Sequence, residues 1–272
     1  MIKYKQNLHT HSIYCDGKNT PEEIVKRAID LGFDTIGISS HSYMSFNGGG
    51  MPEEKASLYK NEMHLLRKKY KDQISVLCGL EFEMYSDGVN LEGYDYVIGS
   101  SHYLKIDGKI VGFDRAFDSF STVIDNYFSG DAIEFAKKYY EDFSQLHKYG
   151  NFDIVGHFDL VTKHIDFHKY LDTSSPRYVT SATDCLHELA KHHDVFEVNT
   201  GGIARGYRKK PYPEAFILKE LNMLKKSVII SSDCHNMEYL DCCFDDAIEL
   251  IKSCGFNEVN VLTKNGFKGI KI

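Results

Sequence analysis

Nowhere in this chain is there a run of about eighteen consecutive apolar residues, the length that a membrane-spanning helix needs. The opening MIKYKQNLHTH carries no apolar core of the secretory kind. Neither a membrane span nor secretion is therefore expected, and a cytoplasmic location is. The seven cysteines (Cys15, Cys78, Cys185, Cys234, Cys242, Cys243, Cys254) include no CxxC pair and are odd in number, so reduced thiols are expected rather than a zinc knuckle. No long Lys/Arg block occurs and the formal net charge is −7, which argues against a nucleic-acid surface, where phosphates would have to be neutralised. No linker, low-complexity block or internal repeat breaks the chain, so residues 1–272 are read as a single domain. Its 42% hydrophobic residues can fill an ordinary core.

What is present is an alternation. Short β-branched or apolar runs at 5–9, 34–39, 74–80, 94–100, 152–156, 195–199 and 227–232 read as seven strands. Amphipathic stretches lie between them, at 52–71, 130–148, 181–192, 213–225 and 241–254. Thr20, Pro21 and Glu23 look like an N-cap, a first-turn proline and a first-turn acid, with Gly32 as the stop. Strands alternating with helices point to an α/β fold of parallel βα units. Residues 105–129 stand apart as a long irregular insertion after strand four, of the kind that is usually functional. Its aromatic part, 113–128, reads as a lid, a dimer surface or packing. The last segment, NEVNVLTKNGFKGIKI, is either an eighth strand or a hairpin outside the barrel.

Metal-type side chains fall just after strands, repeatedly. Strand one runs into His9 and His11 and then Cys15 and Asp16; strand two ends at His41, strand three at Glu81, strand four at His102, strand five at His157, and strand seven at Asp233 and His235. In a parallel barrel all these ends meet at one face, where barrel enzymes place their sites. A lone histidine at a strand end is more often structural than a ligand; six such ends are hard to ascribe to coincidence. On extended backbone residues i and i+2 share a side, so His9 with His11, and Asp233 with His235, can each address one cation. Imidazoles and carboxylates without thiolates suit Zn²⁺, Mn²⁺ or Fe²⁺ alike.

The ordered set HxH (His9, His11), His41, GxE (Glu81), SxH (His102), GH (His157) and DxH (Asp233, His235) resembles the polymerase and histidinol phosphatase (PHP) superfamily over nearly the whole chain. The stretches HTHSIYCDGKNTPEE, GHFDLVTK and EVNTGGIARGYRKKPYPE resemble its histidinol-phosphatase branch, and no polymerase modules accompany them. The resemblance implies a distorted seven-stranded parallel (β/α)7 barrel of TIM-barrel type holding three divalent cations. By it, His9, His11, Glu81 and Asp233 hold the first, Glu81, His102 and His157 the second, and His41, His235 and a first-loop residue the third. Asp16 is the favoured loop ligand, with Cys15 as a thiolate alternative. The implied activity is phosphomonoester hydrolysis, with L-histidinol phosphate as substrate and a metal-bound hydroxide as nucleophile. His102 or a bound water would protonate the leaving oxygen.

Outside the ligand set, Arg205 and Arg208 follow strand six in a glycine-rich loop, where a guanidinium can grip phosphate. The bland reading is a solvated basic loop. Lys163, six residues past His157, can reach the site or pair with a surface acid. His64, His147, His164, His168, His187, His192 and His193 lie away from strand ends, and surface or capping roles are expected for them. Two rivals remain: the same site acting on another phosphomonoester or a nucleotide, and a metal-binding protein without turnover.

Overall fold

The computed structural model describes residues 4–272 of the chain. Seven strands form one sheet: β1 (Gln6–Asn7), β2 (Thr35–Ile38), β3 (Ser75–Glu83), β4 (Tyr96–Ser100), β7 (Ile154–Val155), β8 (Val195–Asn199) and β9 (Ser227–Ser231), hydrogen-bonded in that order. Every pairing is parallel. Past the ends of β1 and β9, a parallel bridge between Thr10 and Cys234 brings the two edges together, and the sheet becomes a nearly closed, distorted barrel. The remaining strands pair off by themselves, β5 (Tyr103–Ile106) with β6 (Lys109–Gly112) and β10 (Glu258–Thr263) with β11 (Gly266–Lys271).

Helices α1 (Pro21–Asp30), α2 (Glu53–Lys69), α3 (Phe117–Phe128), α4 (Ala132–Phe143), α5 (Pro176–Ala190), α6 (Gly201–Ala204), α7 (Ala215–Met223) and α8 (Phe244–Ser253) connect the strands. α1 starts as its sequence prescribes: the Thr20 side chain accepts from the Glu23 amide while Glu23 reaches back to the Thr20 amide, and Pro21 supplies the first turn. α5 begins five residues earlier than its apolar pattern suggests, because Pro176 opens it. Among the described residues, no helix is long and apolar enough to cross a membrane.

Two expectations are corrected. The segment 105–129 is not irregular: it is most of a β-hairpin followed by α3, and Phe113, Phe120, Val123 and Ile124 are buried in the main core. Its aromatics pack edge-on against Phe135 of α4, which explains an apolar segment that has no strand of the barrel to lie against. His164 and His193 are buried rather than superficial, and each ring meets a backbone carbonyl, that of Arg115 and of Phe152 respectively. The C-terminal alternative resolves as an antiparallel hairpin. Leu262 and Phe267 of this hairpin pack on the barrel-interior residues Leu8, Tyr96, Ile98, Ile154, Val195 and Ile229.

Candidate metal centre

Strand alternation decides what enters the barrel. Along β8, Val195 lies in the interior apolar layer, while Phe196 and Val198 belong to the outer core. Two residues beyond Val195, Glu197 is on the same face and fully buried. β9 repeats the pattern with Ile229 below and Ser231 above. The polar ends of the strands therefore project into one buried space.

Glu81 lies at its centre, 1% exposed. Its Oε2 faces His9 Nε2 at 3.1 Å, His11 Nε2 at 3.4 Å and His41 Nδ1 at 2.9 Å; its Oε1 faces His157 Nε2 at 3.0 Å and His102 Nε2 at 3.6 Å. Asp233 Oδ1 is 3.1 Å from His11 Nε2 and 3.7 Å from His9 Nε2. Asp233 takes a left-handed φ of 46°, unusual for a residue with a side chain, and that turn presents its carboxylate to the cluster. Asp16, more than half exposed, completes an outer group: it lies 3.4 Å from His235 Nε2, 3.7 Å from His41 Nε2 and 3.8 Å from His11 Nδ1.

Three donor groups result: His9, His11 and Asp233; Glu81, His102 and His157; and His11, Asp16, His41 and His235. They correspond closely to the three sets that the sequence suggests, with His11 standing between two of them. Buried polar atoms normally have hydrogen-bond partners. Here His9 Nε2, His11 Nε2 and Glu81 Oε2 have none, although they face one another. Convergent imidazoles and carboxylates with open lone pairs fit divalent cations.

The charges support the same reading. Burial alone would depress the pKa of His9, but Glu197, Glu81 and Asp233 hold it well above its ordinary value. Burial opposes ionisation of Glu81 too, yet His9, His41 and His102 keep it well below the usual carboxylate range. For Asp233 the opposing influences are burial, against Arg205 and His9, and the net direction is again down. His41 is pushed up to about 10 as Glu81 outweighs its burial, whereas His11, buried and beside His235 and His41, falls to about 3. Without a cation His9 and His41 hold protons while His11 does not, so a metal taken up at His9 and His41 displaces their protons.

Two carboxylates behind the donors were not picked out from the sequence. Glu197 accepts from His9 Nδ1 at 2.6 Å and from the His157 amide at 2.7 Å. Glu83 accepts from His102 Nδ1 at 2.9 Å. Each fixes a ring tautomer and turns Nε2 inward. The signal was there: both are acids at inward positions of otherwise apolar strands.

Arg205 reaches the cluster from the turn after α6. It donates to Asp233 Oδ2 at 2.8 Å and to His235 Nδ1 at 3.0 Å, and is 30% exposed. Gly201 makes that approach possible, since a Cβ there would come within 2.8 Å of the Ser232 carbonyl and 3.1 Å of the Arg205 guanidinium. Arg208 is not brought to the donors. Its guanidinium is buried and occupied by Thr162, Asp166 and Glu214, a brace between loops. Lys163 is buried and paired with Asp114 at 2.6 Å. Asp114, with Cys15, Asp16, His41, His102 and Arg115, lines a cleft of about 310 Å³ over the cluster.

The PHP domain family matches residues 7–201. The histidinol-phosphatase of Bacillus subtilis is 26% identical over 254 residues, covering 85% of this chain and 93% of that protein. A crystal structure from Listeria monocytogenes, assigned as a histidinol phosphatase, superposes with a TM-score of 0.78 at 24% identity, over 89% of this chain and 99% of that one. The histidinol phosphate phosphatase of Lactococcus lactis, solved with zinc, L-histidinol and phosphate, gives a TM-score of 0.75 at 21% identity, over 97% and 98%. The family match covers most of the chain and includes His9 to His157 of the cluster, and the chain belongs to the PHP domain family.

Proposed function

We propose that this chain hydrolyses L-histidinol phosphate to L-histidinol and phosphate at a site holding three divalent cations. Family membership and the donor set together make it a metal-dependent phosphatase; the substrate and the number of ions are the proposal. One observation carries it: three donor groups converge beside a single buried carboxylate, Glu81, with one guanidinium, Arg205, at their rim. The relatives that cover most of the chain are named histidinol-phosphatases, and the Lactococcus neighbour was solved with zinc, L-histidinol and phosphate.

In this reading His9, His11, Glu81 and Asp233 hold one cation, Glu81, His102 and His157 a second, and Asp16, His41 and His235 a third. When bound, such ions acidify a water for attack and neutralise phosphoryl oxygens. The protein's own part is orientation and charge. Glu197 and Glu83 lock His9 and His102 in place from behind. Both ring nitrogens of His102 face carboxylates, which favours a ligand role over that of a proton donor. Arg205 can turn two donors to phosphate as charge moves onto its oxygens. Lys163 acts through Asp114 at the cleft wall, and Arg208 only braces the loop that carries Arg205. The same proposal has residues 1–272 acting as one domain in the cytoplasm.

A panel of histidinol phosphate, p-nitrophenyl phosphate, AMP and an oligonucleotide tests the substrate, with ion content measured on the same sample. We expect preference for histidinol phosphate and close to three ions per chain. Preference for AMP or the oligonucleotide would move the assignment elsewhere in the family; one ion or none in fully active enzyme would overturn the trinuclear reading.

A further inference from the structure

A second group of ligand-type side chains lies far from the catalytic cluster in the fold. His147 is in the short turn after α4; Glu188 is on the last turn of α5, and His192 follows it by four residues, just after the helix ends. His147 precedes β7 and His192 precedes β8, so the group sits where these strands begin, whereas the catalytic donors sit where the strands end. We propose that His147, Glu188 and His192 form a separate site for one divalent transition-metal ion, zinc by its donor chemistry.

The geometry is close to what an ion needs. Each residue offers an atom within 4.8 Å of the others. Bonds of about 2.0–2.1 Å in a tetrahedral shell place donor atoms about 3.4 Å apart, so the three side chains must close up on the ion. The two imidazoles already stack, with centroids 3.9 Å apart and planes 9° from parallel. Sharing one ion requires one ring to turn out of this stack, so that the two in-plane lone pairs meet at a common point. His147 Nδ1 is 3.2 Å from the Ser144 carbonyl, a contact that sets the tautomer and leaves Nε2 with its lone pair. Glu188 Oε1 is 3.5 Å from His192 Nε2, and its Oε2 is held by Lys191 at 2.6 Å. All three side chains are half-buried or exposed, so an ion can enter from solvent. Two imidazoles and one carboxylate are a zinc set, with water completing the shell. An ion there ties the turn after α4 to the end of α5, two helices that already pack together.

The test uses the full chain with its catalytic ions loaded. Wild type and the double variant His147→Ala/His192→Ala are equilibrated over a series of free zinc concentrations and their ion contents compared. We expect wild type to take up close to one more ion than the variant, with a zinc-dependent rise in Tm that the variant lacks. Hydrolysis of phosphate ester should be the same in both, which also shows that the variant folds. Lys191→Ala should bind the extra ion several-fold more tightly, because it frees Glu188, and Glu188→Gln more weakly. Equal ion contents in wild type and double variant at every zinc concentration would overturn the site.

Discussion

The interior of this barrel has two ends built from the same strands. At the end where the strands begin, Leu8, Tyr96, Ile98, Ile154, Val195 and Ile229 close on one another, and the β10–β11 hairpin caps them with Leu262 and Phe267. At the other end, one or two alternations along β8 and β9, the inward positions become Glu197, Ser231 and Asp233. The first end is held mainly by the hydrophobic effect, with Tyr96 donating to the Leu8 carbonyl and Gln6 hydrogen-bonded to the backbone of Leu262. The second buries carboxylates and imidazoles, leaving His9 Nε2, His11 Nε2 and Glu81 Oε2 without hydrogen bonds. Buried polar atoms in that state are destabilising. A cation-binding role explains why they persist, and the apolar end supplies the stability that this arrangement lacks.

The sharpest way to break the comparison is at Glu81. If both of its oxygens organise ions, Glu81→Ala should lower kcat/KM by about a thousandfold or more, about 4 kcal/mol, and reduce the ion content as well. A loss under about tenfold with full ion content would mean that the polar end does not depend on a shared carboxylate.

Arg205 comes next. Loss of one charged donor in a partly desolvated site is worth about 2–4 kcal/mol, or roughly 30- to 1000-fold in rate. If Arg205 engages the phosphate as charge redistributes, Arg205→Ala lowers kcat and kcat/KM together; if it binds ground and transition states alike, only KM rises. Arg205→Lys should restore part of the loss, because an ammonium keeps the charge without the two-pronged geometry. Arg208→Ala should instead show up in Tm, since its donors hold Thr162, Asp166 and Glu214. Wild-type kinetics for Arg205→Ala at full metal content would place phosphate recognition elsewhere.

How much of this was legible beforehand follows from the same two ends. The strand-end donors were readable because each sits at the same place in a repeating βα unit, and the repeat turns weak single signals into one strong one. Glu197 was passed over because it lies inside β8, a lone acid in an apolar run, and Glu83 because it follows Glu81 by two residues on β3 and was overshadowed by it. Arg208 could not be separated from Arg205 by spacing: both lie in one loop, and only the fold shows which of them meets Asp166 and Glu214. The insertion misled for a related reason. Its strands pair with each other and its helix packs on α4, so neither follows the barrel's alternation.

A smaller effect probes the apolar end. Ile154 is fully buried on β7 among the interior residues. Ile154→Val removes one methylene and should reduce stability by about 0.5–1.5 kcal/mol, read as a lower denaturation midpoint. Its kcat and ion content should match wild type, since the two ends divide the work. A drop in kcat beyond about threefold at full folding would show that packing below sets ligand geometry above.

The smallest effect expected is at Cys15, and it matters because its neighbour should behave in the opposite way. Cys15 Sγ lies 3.4 Å from His11 Nδ1 and 3.6 Å from the Ser12 carbonyl, the distances of weak sulfur hydrogen bonds. A serine hydroxyl can make both contacts, so Cys15→Ser should stay within about threefold of wild type, under about 0.7 kcal/mol. The Asp16 carboxylate, by contrast, points at three imidazoles between 3.4 and 3.8 Å away. Burial works against its ionisation, but His235, His41 and His11 outweigh it and keep the group charged far below the usual carboxylate range. Removing it leaves His41 and His235 without a carboxylate of the first loop, so Asp16→Ala should lose an ion and most of the activity. Kinetics and ion content of the two variants side by side decide the matter. If Cys15→Ser loses the ion and Asp16→Ala keeps it, the loop ligand is a thiolate, and the outer group is a softer site than the two buried ones.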